Sequence, residues 1–216
     1  MASARNDSTA NKRRALTGFS LLLALCSGCA REPLDATCSD LREGDLVITE
    51  IRGPQSGADT YGEWIELLNT RDAETELTEL SIRMVPIDGR EPQFILVRDE
   101  GLTVAPGGYV VIGLQDSNNL PDHVDYGFRL TSDTKGLFSS AFVEVSMCGE
   151  VIDELLYPDL PDSGSWALDG NIKPSSTAND DFTAFCVDDA DAPPGPATDL
   201  GQPGSPGEAN KPCVGP

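Results

Sequence analysis

Leu46-Val47-Ile48-Thr49-Glu50-Ile51 and, shortly after it, Glu63-Trp64-Ile65-Glu66-Leu67-Leu68 decide the fold of this chain. Both are short runs rich in apolar and β-branched residues, and turn-forming residues bound them: Gly53-Pro54 after the first, Asn69-Thr70-Arg71-Asp72 after the second. Runs of this length and punctuation read as strands. Successive side chains of a strand alternate between faces, so Ile65 and Leu67 share one face and Trp64, Glu66 and Leu68 the other. Both faces are then partly apolar, as in a central strand covered on two sides. That placement makes Glu50 and Glu66 candidates for partly buried carboxylates. A buried carboxylate has to be hydrogen-bonded or paired, so each is expected to accept backbone N–H groups from a neighbouring loop and pin it. The functional alternative is a paired-carboxylate acid/base site.

Working outward, the same reading predicts strands over Leu77–Met84, Phe94–Val97, Tyr109–Ile112, Phe138–Val145, Val151–Tyr157 and Trp166–Leu168. Between them lie Asp88-Gly89, Pro106-Gly107-Gly108, Pro158-Asp159 and Asp169-Gly170, all turn formers. No window beyond the N-terminal region carries an apolar period of 3.6 over a helical length. About seven to nine strands so spaced predict an all-β sandwich or barrel over residues 45–187. Residues 188–216 are rich in Asp, Pro, Gly and Ala and read as an irregular segment that closes the domain.

The N-terminus carries Arg5, Lys12, Arg13 and Arg14, then an apolar run from Leu16 to Leu25, then Cys26-Ser27-Gly28-Cys29-Ala30. A basic region, a short apolar region and small residues make a signal peptide over residues 1–28, since a membrane-spanning helix needs roughly 20 apolar residues. Its end resembles the lipobox of bacterial lipoproteins. Ser27 and Gly28 match that pattern, whereas Cys26 stands where a Leu or Val is usual. The resemblance implies diacylglycerol on the sulfur of Cys29 and residues 29–44 as a lipidated tether. Ala30 is not the aspartate that commonly retains lipoproteins at the inner membrane, so the outer membrane of the envelope is the expected destination.

The chain has 36 acidic residues against 15 basic ones, a formal charge of −21, and residues 1–28 hold four of the basic residues and one acidic. The remainder is therefore more acidic still. A field of that sign repels phosphate backbones, which excludes nucleic acid as a partner by counterion release. Beyond Cys29 the cysteines are Cys38, Cys148, Cys186 and Cys213. An even number in an exported chain reads as two disulfides. Four cysteines admit three pairings, of which the nested one, Cys38–Cys213 with Cys148–Cys186, is the expectation. None of them has the spacing of a zinc site.

Taken in order, Val47-Ile48-Thr49-Glu50-Ile51, Glu63-Trp64-Ile65-Glu66-Leu67-Leu68-Asn69, Leu102-Thr103-Val104-Ala105-Pro106-Gly107-Gly108-Tyr109-Val110-Val111, Ser165-Trp166-Ala167-Leu168 and Leu200-Gly201-Gln202-Pro203-Gly204-Ser205-Pro206-Gly207-Glu208-Ala209-Asn210 resemble the lamin-tail domain in its bacterial, exported version. The resemblance spans about residues 45–210. It implies an immunoglobulin-like β-sandwich used as a non-catalytic module, with a protein or polysaccharide of the envelope as partner.

Other chemistry finds thin support. The sole histidine, His123, lies between Asp122 and Asp125, and Pro161-Asp162-Ser163-Gly164-Ser165 has a distant likeness to a serine nucleophile turn, but nothing supplies the rest of a triad. Acidic stretches at Asp116-Ser117-Asn118-Asn119, Asn179-Asp180-Asp181 and Asp188-Asp189-Ala190-Asp191 offer oxygen ligands for calcium without the spacing of a calcium loop. The expectation is a non-enzymatic, lipid-anchored envelope module without a cofactor or metal. The alternative is an accessory or catalytic part of an extracellular hydrolase system that uses calcium.

Overall fold

The computed structural model describes residues 40–56, 61–114, 120–128, 136–188 and 204–214. Residues 1–28, expected to be a signal peptide, together with Cys29, Cys38, Asp116–Asn119 and Asp189–Asp191 lie outside the described residues. Strands form at Leu46–Arg52 (β1), Trp64–Asn69 (β2), Thr75–Glu76 (β3), Ser81–Pro86 (β4), Gln93–Leu96 (β5), Thr103–Val104 (β6), Tyr109–Gly113 (β7), Tyr126–Gly127 (β8), Ala141–Met147 (β9), Glu150–Tyr157 (β10), Ser165–Leu168 (β11) and Phe185–Asp188 (β12). They build a six-stranded sheet in the order β12-β11-β1-β2-β7-β8 and a four-stranded sheet in the order β10-β9-β4-β5, with β3 and β6 as a separate pair. All pairings are antiparallel except β7 with β8. The fold is a β-sandwich, as the strand punctuation predicts.

One apolar core lies between the sheets. Ile48, Ile51, Ile65 and Leu67 reach it from the larger sheet, and Ile82, Met84, Val143, Val145 and Leu155 from the smaller. Strict alternation along β1 cannot place Ile48 and Ile51 on the same face, because they are three residues apart. A β-bulge between Ile48 and Glu50 supplies the extra residue. It turns Leu46, Ile48 and Ile51 inward and sends Glu50 to the outer face, directly across from Glu66 on β2.

A second bulge, between Val151 and Asp153 of β10, performs the matching task on the other sheet. Ile152 and Leu155 enter the core, and the Asp153 carboxylate comes to the seam where β10 meets β1. β1 pairs with β11 only at Glu50 and Ile51, which leaves the backbone of Ile48 without a strand partner on that side. Two side chains stand in for the missing strand. Asp153 Oδ2 accepts from the Ile48 N–H at 2.7 Å, and Asn179 Nδ2 donates to the Ile48 carbonyl at 3.1 Å and to Asp153 Oδ2 at 2.7 Å. Both side chains are fully enclosed, so the backbone groups they satisfy have no recourse to water.

The structure corrects several sequence expectations. Leu77–Leu80 is a turn, closed by the Leu80 N–H on the Leu77 carbonyl with Glu79 at φ +69°, and β4 starts at Ser81. Leu77 and Leu80 are apolar because they are buried, which is what made the stretch resemble a strand. Leu41, assigned to the tether, packs into the core, and the Gly44 N–H bonds to the Ile152 carbonyl. β12 was not foreseen.

The nested disulfide pairing is also wrong. Cys186 on edge strand β12 is bonded to Cys213, with Cα atoms 5.8 Å apart. Residues 210–213 return beside β11 and β12, where the Gly170 N–H donates to the Lys211 carbonyl and the Cys213 N–H to Asp169. Cys148 sits on the other sheet, at the tip of the β9–β10 hairpin. Its φ of +53° followed by Gly149 at +88° is the conformation of a two-residue I′ turn. Cys148 is disulfide-bonded as well, and its second cysteine lies outside the described residues.

Removing the strand substitute should be costly. Asp153→Ala would leave a buried N–H of Ile48 and the Asn179 amide without their acceptor, and a loss of about 2 to 4 kcal/mol is expected in urea unfolding. A loss below about 0.5 kcal/mol would mean that water or a shifted strand replaces the carboxylate.

Candidate functional site: two buried glutamates beneath the C-terminal strap

Glu50 and Glu66 are neighbours across the β1–β2 ladder, and both side chains are completely shielded from solvent. They lie on the outer face of the six-stranded sheet, where a sandwich of two sheets has no third layer. The chain supplies one from its own C-terminus. Residues 204–210 cross β1 and β2 as a strap held by hydrogen bonds to the two glutamates.

The local sequence of the strap fixes its shape. Pro206 presets the first corner of a turn, Gly207 at φ +83° takes the second, and the Glu208 N–H closes it on the Ser205 carbonyl, as in a type II turn. This turn aims two backbone N–H groups at the sheet. The Ser205 N–H lies 3.1 Å from Glu50 Oε1 and 3.3 Å from Oε2, and the Gly207 N–H lies 2.7 Å from Glu66 Oε2. Ser165 on β11 donates its hydroxyl to Glu50 Oε1, and Thr49, the bulge residue, donates its own to Glu66 Oε1 at 2.6 Å. Asn210 anchors the end of the strap by donating to the carbonyls of Thr49 at 2.9 Å and Leu168 at 3.0 Å. At Gly204 the strap runs so close to the sheet that a Cβ would fall 2.6 Å from Glu50 Oε1 and 2.8 Å from Ser165 Oγ. Gly204 is therefore required by close approach as well as by its φ of +110°.

Burial dominates the electrostatics. Desolvation pushes Glu50 up to about 7, against the hydrogen bonds from Ser165 and Ser205, and nearby Asp188 adds to the rise. Glu66 is raised well above the usual carboxylate range, first by burial and then by the charge of Glu50. Asp153 at the seam is pushed up to about 7, again mainly by burial. Raised carboxyls in a pair are the raw material of acid/base catalysis. Here all four carboxylate oxygens already accept hydrogen bonds from the protein, and no face is open to a substrate. The arrangement fastens a strap.

A cleft of about 360 Å³ opens beside the strap, between Tyr109, the Asp169–Pro174 turn and Asn210. Its Thr49, Asp169 and Asn210 side chains are committed to the fold. Asp169 Oδ1 accepts from Asn171 N at 2.9 Å and Cys213 N at 3.1 Å, and Asn210 serves the two carbonyls named above. Elsewhere, His123 rests against Tyr61, with Nε2 3.1 Å from its carbonyl, while the Pro161–Gly164 turn is held by Gln55. Asn179 commits its Nδ2 at the seam and is fully buried there, Asp181 caps the short 3-10 turn at Phe182–Ala184, and Asp188 is buried beside Ser205 and Lys211. Among the described residues no group of three or more His, Cys, Asp or Glu side chains is placed to hold a metal.

The donors that complete the carboxylate pair, Ser165, Ser205, Gly207 and Thr49, were not singled out by sequence. The Ser205-Pro206-Gly207 turn was the available signal, since its conformation is set locally even though its target is not.

Stability should depend on pH with a definite sign. For Glu50, Glu66 and Asp153 the folded pKa exceeds the ordinary value, 4.5 for Glu and 3.8 for Asp, so folding takes up protons. Their stabilising contribution is complete below the ordinary values and is lost as pH rises through about 7. The melting temperature should fall by roughly 15 °C between pH 5 and pH 8, and less in Glu50→Gln. A melting temperature that climbs over that range would mean that the glutamates are held as anions in the fold.

The strap is also tied covalently. Opening the Cys186–Cys213 link, which closes a sequence separation of 27 residues, should cost about 3.5 kcal/mol on loop-closure entropy. Amide exchange in Cys213→Ser should rise first at Ser205 and Gly207. Unchanged exchange there would show that the glutamates hold the strap unaided. No family model matches this chain and no curated protein matches it, so what the domain does has to be read from its own residues.

Proposed function

We propose that this chain is a non-catalytic module of the bacterial cell envelope, exported by the signal peptide at residues 1–28, anchored by a lipid on Cys29 and carrying a sandwich of the lamin-tail type that binds another envelope component. The observation that carries the non-catalytic reading is the state of the Glu50–Glu66 pair. The most catalysis-like group among the described residues is sealed, hydrogen-bonded at every oxygen and spent on closing the fold. The anchoring part of the reading rests on Ser27-Gly28-Cys29 after the Leu16–Leu25 run, and its destination in the outer membrane on Ala30. Several acyl chains at about 0.8 kcal/mol per buried methylene hold a protein at a membrane without a spanning helix. Among the described residues no helix is long and apolar enough to cross one.

The test is to fractionate cells and weigh the purified protein with and without Cys29→Ala. The native chain should sediment with membranes and carry acyl mass, and the variant should lose both. A native chain that is soluble and of unacylated mass would remove the anchor from this reading and leave a secreted module.

A further inference from the structure

The two outer faces of the sandwich are treated differently. The face of the six-stranded sheet is closed by the strap. Among the described residues no segment closes that of the four-stranded sheet, where Phe94 on β5 is 63% exposed and Leu156 on β10 is 51% exposed. Registers place these residues in adjoining rows. Leu156 pairs with Phe142, and Phe142 with Val85, giving an apolar row across β10, β9 and β4. The next row runs Glu154, Glu144, Arg83, Phe94 across all four strands.

That second row is electrically incomplete. Glu144 and Glu154 are directly opposed like charges, an arrangement that destabilises a sheet. Arg83 reaches Glu144 at 3.7 Å, and no cation among the described residues pairs with Glu154. An aromatic and aliphatic row beside an uncompensated carboxylate is complementary to a surface that offers apolar side chains together with a cation.

We propose that this face docks a protein segment that presents an arginine or lysine flanked by apolar side chains, the cation meeting Glu154 and Glu144 and the apolar groups covering Phe142, Leu156 and Val85. The inference rests on the binding-module reading above and names the surface and the partner's chemistry. A second copy of the chain is disfavoured because its Arg83 is already engaged by Glu144, and it would add a second unpaired Glu154 and a net charge that is −21 even with residues 1–28 counted. An anionic lipid surface is disfavoured by the same sign.

The test uses the full chain in lipid nanodiscs, with empty discs as blank, and three fluorescent nine-residue peptides: one with two arginines among leucines, one with glutamate for arginine, one with serine for leucine. The first should bind at least tenfold more tightly than the others. It should lose tenfold or more in Leu156→Ser and in Glu154→Lys, while Asp72→Lys, the same charge change on a loop outside this sheet, should retain binding within twofold. Equal loss in Asp72→Lys, or equal binding of the serine peptide, would overturn the proposal in favour of diffuse attraction to an acidic protein. Concentration-dependent dimers abolished by Leu156→Ser would overturn it in favour of self-association. Peptide bound to empty discs alone would overturn it in favour of a membrane surface. None of these results alters the anchoring and mass of the Cys29→Ala comparison, so failure of the docking face and failure of the envelope reading are told apart.

Discussion

A carboxylate removed from water has to find donors, and in this domain the donors come from far along the chain. Glu50 is served by Ser165 and Ser205, Glu66 by Gly207, and Asp153 by Ile48. Three of these bonds join segments that no regular ladder joins, strap to sheet from Ser205 and Gly207 and sheet to sheet from Ile48, and the fourth, from Ser165, reinforces the β1–β11 ladder. Leaving such a group unsatisfied costs about 1 to 3 kcal/mol or more, so each carboxylate selects against any arrangement in which its distant partner is absent. The apolar core would tolerate several packings of similar area. The buried acids tolerate few.

The two bulges are what make this possible. An unbroken alternation in β1 would turn either Ile48 or Ile51 out of the core. With Thr49 as the extra residue, both isoleucines stay inside, Glu50 turns outward opposite Glu66, and the Thr49 hydroxyl is free to bond that second carboxylate. The bulge in β10 likewise keeps Ile152 in the core while Asp153 takes the position from which it completes the unpaired edge of β1. Irregularity in the ladder and burial of carboxyl groups are thus one device: the residue that breaks the register is the residue that lets the acid reach its donor.

What the sequence disclosed and what it hid follow the range of each interaction. Strand runs and turn residues act within a few positions, so the all-β sandwich could be read from them, and the mixed face of Trp64–Leu68 was enough to mark Glu50 and Glu66 as buried acids. Leu77–Leu80 misled because burial rather than extension accounts for its leucines. The disulfide pairing and the roles of Asp153 and Asn179 stayed hidden because they depend on which segments meet: β12 beside β11, the C-terminus returning over both, and β10 reaching β1. A spacing along the chain carries no information about those meetings, and an exposed-looking Asn-Asp-Asp stretch gives no sign that its first residue is sealed at a seam.

The same accounting separates the two faces of the sandwich. On the six-stranded sheet the outward residues Trp64, Glu66 and Val111 would be costly to leave exposed, and the chain covers them, Glu66 under the strap and Trp64 and Val111 against Leu120 and Val124. On the four-stranded sheet the outward residues alternate between apolar and charged, a composition that water accepts at modest cost and that a complementary surface can cover with gain. The pattern fits a face that is stable bare and gains apolar burial when covered.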